Sequence, residues 1–164
     1  MTTEKPDYPD LTTVVGLHDG PDSELQMLAG WTRPPGRVEV PVTLYLPWGI
    51  ATGVTTFGAD FFQAAADAIR HAASADLTAE QVEALANNLY GDAGDAQIEQ
   101  NDHLNTLTPE QYGAETTHQG HMLRTFVHLR NATTVLGGFR HTHDYLRIRI
   151  ADVSAWSNGQ IEFN

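Results

Sequence analysis

The 164-residue chain contains no cysteine, which removes disulfides, zinc–thiolate sites and thiol nucleophiles at once. A cysteine-free chain suits a reducing cytosol, and a cytoplasmic location is the expectation. Long apolar runs are missing too. No stretch approaches the roughly 18 residues that cross a bilayer. The first ten residues, MTTEKPDYPD, are polar and hold no apolar h-region, so they are not expected to be a secretory signal. Positive charge is scarce: nine Lys and Arg stand against 21 Asp and Glu, a net charge of −12. An acidic surface repels phosphates and anionic lipid, which argues against nucleic-acid and membrane partners. Catalytic signatures are absent as well. There is no GxSxG elbow, and neither a GxxxxGK[ST] phosphate loop nor an HExxH pair. Gly49, Gly53 and Gly58 are spaced too widely for a dinucleotide fingerprint and fall within a hairpin. The reading from these absences is a non-enzymatic protein with no cofactor.

What is present is patterned. Residues 1–20 carry Pro6, Pro9, Gly16 and Gly20 without any period and read as a flexible acidic tail. The rest, 21–164, reads as one domain. Asp22 or Ser23 can cap a short helix over Ser23–Trp31, before Pro34, Pro35 and Gly36 break the chain. From Val38, strict alternation places Val38, Val40, Val42, Leu44 and Leu46 on one side of a strand. Pro41 cannot donate to a ladder and marks this strand as an edge. Pro47-Trp48-Gly49 is a turn, and Ile50–Phe57 a second strand in which Gly53 suggests a bulge. Asp60 caps an amphipathic helix through Ala73. Thr78 and Gln81 form a capping box for another, with Gly91 as its stop. Residues 91–120 are acidic and poor in large apolar side chains. Apart from one helical turn at Thr108–Gln111, they read as a long polar loop. Strands resume at Met122–Leu136, with a bend or bulge at Asn131-Ala132. A Gly137-Gly138 turn follows, then a strand over Tyr145–Val153 and a last turn at Ser157–Gly159. Clustered strands interrupted by helices give an α+β fold: a small antiparallel β-sheet or bent half-barrel with a helical insertion and a short N-terminal helix.

Among eight histidines, two close pairs stand out: His118 with His121, and His141 with His143. Neutral imidazoles ligate zinc, copper or nickel, so a small metal-dependent enzyme built on these four, completed by Asp144 or Glu115, is one alternative. Both pairs fall in segments that read as turns. Asp60, Asp67, Glu80 and Glu83 could serve acid–base chemistry, but each is explained as a cap or a solvated helix face. Tyr45, Trp48, Phe57, Phe126 and Trp156 lie on or beside strands. They could stack bases as in an Sm-like nucleic-acid-binding barrel, the second alternative, which the acidic charge opposes. Arg124, Arg130, Arg147 and Arg149 lie toward the C-terminal end while acidic residues dominate the middle, a split that favours self-association between opposite patches.

Three stretches carry a resemblance. Residues 38–69 combine an alternating strand, a glycine turn and a second strand ending in Gly58-Ala59-Asp60-Phe61-Phe62, with Leu44, Gly49 and Gly53 in matching places. FVHLRNATTVLGG at 126–138 and LRIRIADVSAWSNGQIE at 146–162 follow in order. Together they resemble gas vesicle accessory proteins of the U type. The resemblance implies an accessory or assembly protein that clusters vesicles through self-association, with protein partners such as the vesicle shell. It assigns no catalytic residues, so none is carried over. Weak contacts repeated over several copies would act by avidity. By residue type and expected exposure, Tyr45, Trp48, Arg147 and Arg149 are the candidate partner contacts.

Overall fold

The structure, a computed structural model, describes residues 22–72, 76–118, 121–122 and 124–162; the expected tail at 1–20 lies outside them. Helix α1, Ser23–Trp31, opens the described chain. Asp22 caps it, its carboxylate accepting from the Leu25 amide at 2.9 Å. Strands β1 (Pro41–Leu46) and β2 (Gly49–Thr56) form a hairpin. Then come α2 (Gly58–Ala72), α3 (Ala79–Ala86), a π turn at Asn87–Gly91, α4 (Asp92–Thr106) and α5 (Pro109–Thr116). The two-residue strands β3 (Thr117–His118) and β4 (His121–Met122) pair with each other. The long hairpin β5 (Phe126–Leu136) and β6 (Phe139–Arg149) and the short β7 (Ala155–Asn158) complete an antiparallel sheet ordered β6-β5-β2-β1-β7. The α+β expectation holds, in the form of an open sheet.

Alternation decides which side each residue serves. Val42, Leu44, Ala51, Val127, Leu129, Ile148 and Ile150 gather with Leu25 of α1 in one buried cluster. Each large side chain removed from water there contributes about 1.5–3 kcal/mol. His128 lies between Val127 and Leu129 and so faces the other side, where Phe61 and Phe62 of α2 approach its ring at centroid distances of 5.4 and 6.1 Å. The sheet is thus covered by α1 on one side and by α2, with α3 and α4 behind it, on the other.

Several expectations are corrected. The supposed loop at 91–120 is helical over Asp92–Thr106 and Pro109–Thr116. Gly91 does not stop a helix; its φ of −58 and ψ of −51 are helical, and the chain runs on through the π turn. Helix α4 packs on α2 at Gly94, where an added Cβ would lie 3.3 Å from Phe62 Cβ. β1 is internal, flanked by β2 and β7, and Pro41 is merely its first residue. The extended segment around His141 and His143 belongs to β6 rather than to a turn. The expected last turn at Ser157–Gly159 overlaps the short strand β7, Ala155–Asn158.

The two hints of a bulge converge. β2 advances from Thr52 to Val54 while its partner moves from Thr133 to Arg130. The extra residue on β5 sits beside Asn131, whose φ is +48. Gly53 lies opposite, where a Cβ would stand 3.1 Å from the Arg130 carbonyl oxygen.

Candidate functional site

At the end of the sheet where β2 hands over to α2, the chain leaves a cavity of about 290 Å³. Several parts of the fold build it. The C-terminal end of α1 brings Ala29, Thr32 and Arg33, and the β2–α2 junction brings Phe57 and Gly58. α4 contributes Gln97, the segment ahead of β5 contributes Arg124, and the strands contribute Phe126, His128 and Arg147. Gly58 fits this crowding, because a Cβ there would displace the Gln97 side chain and stand 3.0 Å from His128 Cε1. His128 and Arg147 are cross-strand partners on β5 and β6. Alternation therefore turns both toward the α2 side.

Three of the chain's nine basic residues meet here, and none of the lining residues is an Asp or Glu. Three of the other arginines find acids. Arg37 pairs with Asp60 at 2.9 Å, Arg130 with Glu39 at 2.8 Å, and Arg70 with Asp67 and Glu83. Among the described residues no carboxylate pairs with Arg33, Arg124 or Arg147. Their supports are neutral. Arg33 donates from Nη2 to the Tyr112 hydroxyl at 2.9 Å and lies 5.1 Å over its ring. Arg147 lies 3.6 Å over the Phe126 ring and 5.2 Å over Phe62, a cation–π arrangement that orients a guanidinium without neutralising it.

The electrostatic consequences are consistent. Burial pushes the Arg124 guanidinium below its ordinary value, and Arg33 nearby adds to the effect. Burial, then the charges of Arg147 and Arg124, hold the His128 imidazole down to about 4, against a weaker upward pull from Asp60. His128 is therefore neutral at pH 7. Its Nε2, and Nε and Nη1 of Arg33, are buried without a hydrogen-bond partner. An unmade buried hydrogen bond costs about 1–3 kcal/mol, so this corner of the protein is assembled against a local penalty. Perturbed titration of this kind, in a cleft, is a feature of functional sites.

No family model, curated protein or solved structure matches this chain. The likeness to U-type gas vesicle accessory proteins rests on the stretches 38–69, 126–138 and 146–162 alone.

The residues singled out from the sequence separate in space. Tyr45 and Trp48 sit at the β1–β2 turn, both exposed. Arg147 lies at the opposite end of the sheet on the cavity rim, with Arg149 two residues on. The four do not form one surface. His141 and His143 share one side of β6, and His143 Nε2 is 3.0 Å from the Thr134 hydroxyl. His118 and His121 are backbone partners across β3 and β4; their side chains lie outside the described residues. Among the described residues no three His, Asp or Glu side chains converge in a metal-ligand group, and no helix is long and apolar enough to cross a membrane. Missed altogether were Arg33, Gln97 and His128. The FVHL motif containing His128 was in view, yet its role depends on Arg124 and Arg147 arriving beside it, which only the fold reveals.

Proposed function

We propose that the protein is a binding module, acting without catalysis, that captures an anionic group in the cavity bounded by Arg33, Arg124 and Arg147. The observation that carries this reading is the convergence of three carboxylate-free arginines in a chain of net charge −12. Overall acidity discourages non-specific anion binding, so an anion gains only where local geometry collects the positive charge. Charge-assisted bonds from guanidinium donors are the strong ones. A cytosolic setting belongs to this reading. Calorimetric titration with sulfate at matched ionic strength tests it. The expected result is saturable binding that Arg124→Gln abolishes. Heat of dilution alone, in the wild-type protein across the whole titration, overturns it.

A second proposal keeps the accessory role implied by the resemblance: self-association or docking on a gas vesicle shell. It is favoured by the exposed Trp48, Leu136 and Phe139, which stand at the two neighbouring hairpin turns. Saturable co-flotation with intact vesicles, weakened in a Trp48→Ser, Phe139→Ser double variant, would support it. Sedimentation apart from the vesicles at every salt concentration would sink it.

A further inference from the structure

Three features of the cavity say more about the anion than its sign. The first is charge. Three arginines line the space with no lining carboxylate, so a monoanion would leave most of that charge uncompensated. The second is direction. Arg33 arrives from the end of α1, Arg124 from the segment ahead of β5, and Arg147 from β6 on the far side of His128. Donors converging from three elements suit oxygens spread around a tetrahedral centre better than the two coplanar oxygens of a carboxylate. The third is His128. It is only 8% exposed, lines the cavity, and carries an Nε2 with no partner.

We infer that the cavity takes a tetrahedral dianion, a phosphoryl or sulfate group, and that His128 takes up a proton as the dianion binds. This rests on the anion-binding reading above. The groups facing His128 are Arg147 from β6, Arg124 from the segment before β5 and Asp60 from α2. Gln97 of α4, neutral, and the rings of Phe61 and Phe62 complete its surroundings. Burial first, and then the two arginines, outweigh Asp60 and keep the imidazole neutral in the free protein. A bound dianion reverses the sign of the local field, so the charged imidazolium becomes the favoured form. Binding and protonation then strengthen each other reciprocally.

Sulfate is the clean probe because it stays dianionic throughout pH 5–8, so any pH dependence belongs to the protein. The expected result is sulfate affinity that rises about tenfold as the pH falls from 7.5 to 5.5, the limit being tenfold per pH unit for one linked proton. Calorimetry in buffers of different ionisation enthalpy should show proton uptake approaching one per site. His128→Gln should still bind sulfate, with a flat pH profile and no uptake. Inorganic phosphate and glycerol phosphate, compared at one pH, separate a free oxyanion from a phosphoryl group on a larger ligand; binding of either supports the tetrahedral assignment. Acetate competing as well as sulfate overturns that assignment. Sulfate binding without proton uptake overturns the role of His128 while leaving the anion site standing. Failure of every anion to bind at any pH removes the anion site itself.

Discussion

The two ends of the sheet are built from the same strands and on opposite principles. At the β2–α2 end, like charges are gathered around a buried histidine that is held neutral, and polar atoms of His128 and Arg33 are buried without a partner. At the other end, roughly 25 Å away along the eight residues of β2, the turns leave apolar side chains in water. Phe139 is 74% exposed and Leu136 50%. The first end has polarity where stability asks for apolar packing; the second has apolar groups where solubility asks for polar ones. Each departs from local consistency in its own way, and departures of that kind concentrate where a protein meets something else. They predict different partners: the recessed cationic end fits a small charged group, and the exposed apolar end fits a surface.

The sharpest way to test this contrast is acid. His128 sits at about 4 in the folded protein against an ordinary value of 6.5. Between those values the unfolded chain binds a proton that the folded chain refuses, so stability is complete above about pH 6.5 and falls as the pH drops toward 4. Fully developed, that gap amounts to about 3 kcal/mol. Urea unfolding at pH 7 and pH 4.5 should show the loss in the wild-type protein and a clearly smaller one in His128→Gln. An equal loss in both would mean that the cationic end carries no such burden.

Next in size is the effect of Arg147. Replacement by Met keeps an apolar stem over Phe126 while removing one of three like charges. Sulfate affinity should fall about tenfold, roughly 1.4 kcal/mol, with thermal stability unchanged or raised. A residue kept for packing or for a structural ion pair would show the reverse, destabilisation without loss of affinity. Arg130→Met supplies that control, since Arg130 is bonded to Glu39 at 2.8 and 3.1 Å.

The strand half of this comparison was legible in the sequence. Alternation through Val42, Leu44 and Leu46 and through Leu146, Ile148 and Ile150 marks strands whose inner positions are buried or partly so. The capping box at Thr78 and Gln81 forms as its spacing implies. Helix α4 was invisible because its buried positions are Gly94, Asn101 and Leu104, with Gln97 and Ile98 half-covered. That is a helical stripe of the right period written in small and polar residues, and a hydrophobicity pattern cannot register it. The cationic site was illegible for a different reason. Arg33, Arg124 and Arg147 are far apart in the chain, and each looks like a solvated arginine until the fold brings them together. Arg147 was singled out, but as a partner contact grouped with Tyr45 and Trp48, from which β2 separates it.

A smaller effect is expected at the apolar end from its backbone. A Cβ on Gly49 would run into the Val135 carbonyl oxygen across the β2–β5 ladder. Backbone cannot swing aside as a flexible side chain does, so Gly49→Ala should cost about 1 kcal/mol. It should also disturb the register by which the two hairpin turns stand side by side, while leaving sulfate affinity at the far end unchanged. Loss of sulfate binding in this variant would show the two ends to be coupled, and the contrast between them would fail.

The least stability change, and the most telling, belongs to Trp48 and Phe139. Both are exposed, at 44% and 74%, and exposed side chains outside special features shift stability by only about 0.5 kcal/mol. Trp48→Ser with Phe139→Ser should therefore unfold at nearly the wild-type urea midpoint. If the apolar turns are a contact surface, the same variant should sediment as a smaller species at high protein concentration, or lose its attachment to a hydrophobic shell. A midpoint shift well beyond that range would place these rings in the packing of the sheet. An unchanged midpoint with unchanged sedimentation and unchanged attachment would leave the cationic end as the working surface among the described residues. The acidic remainder of the chain would then keep all but the right anion away from it.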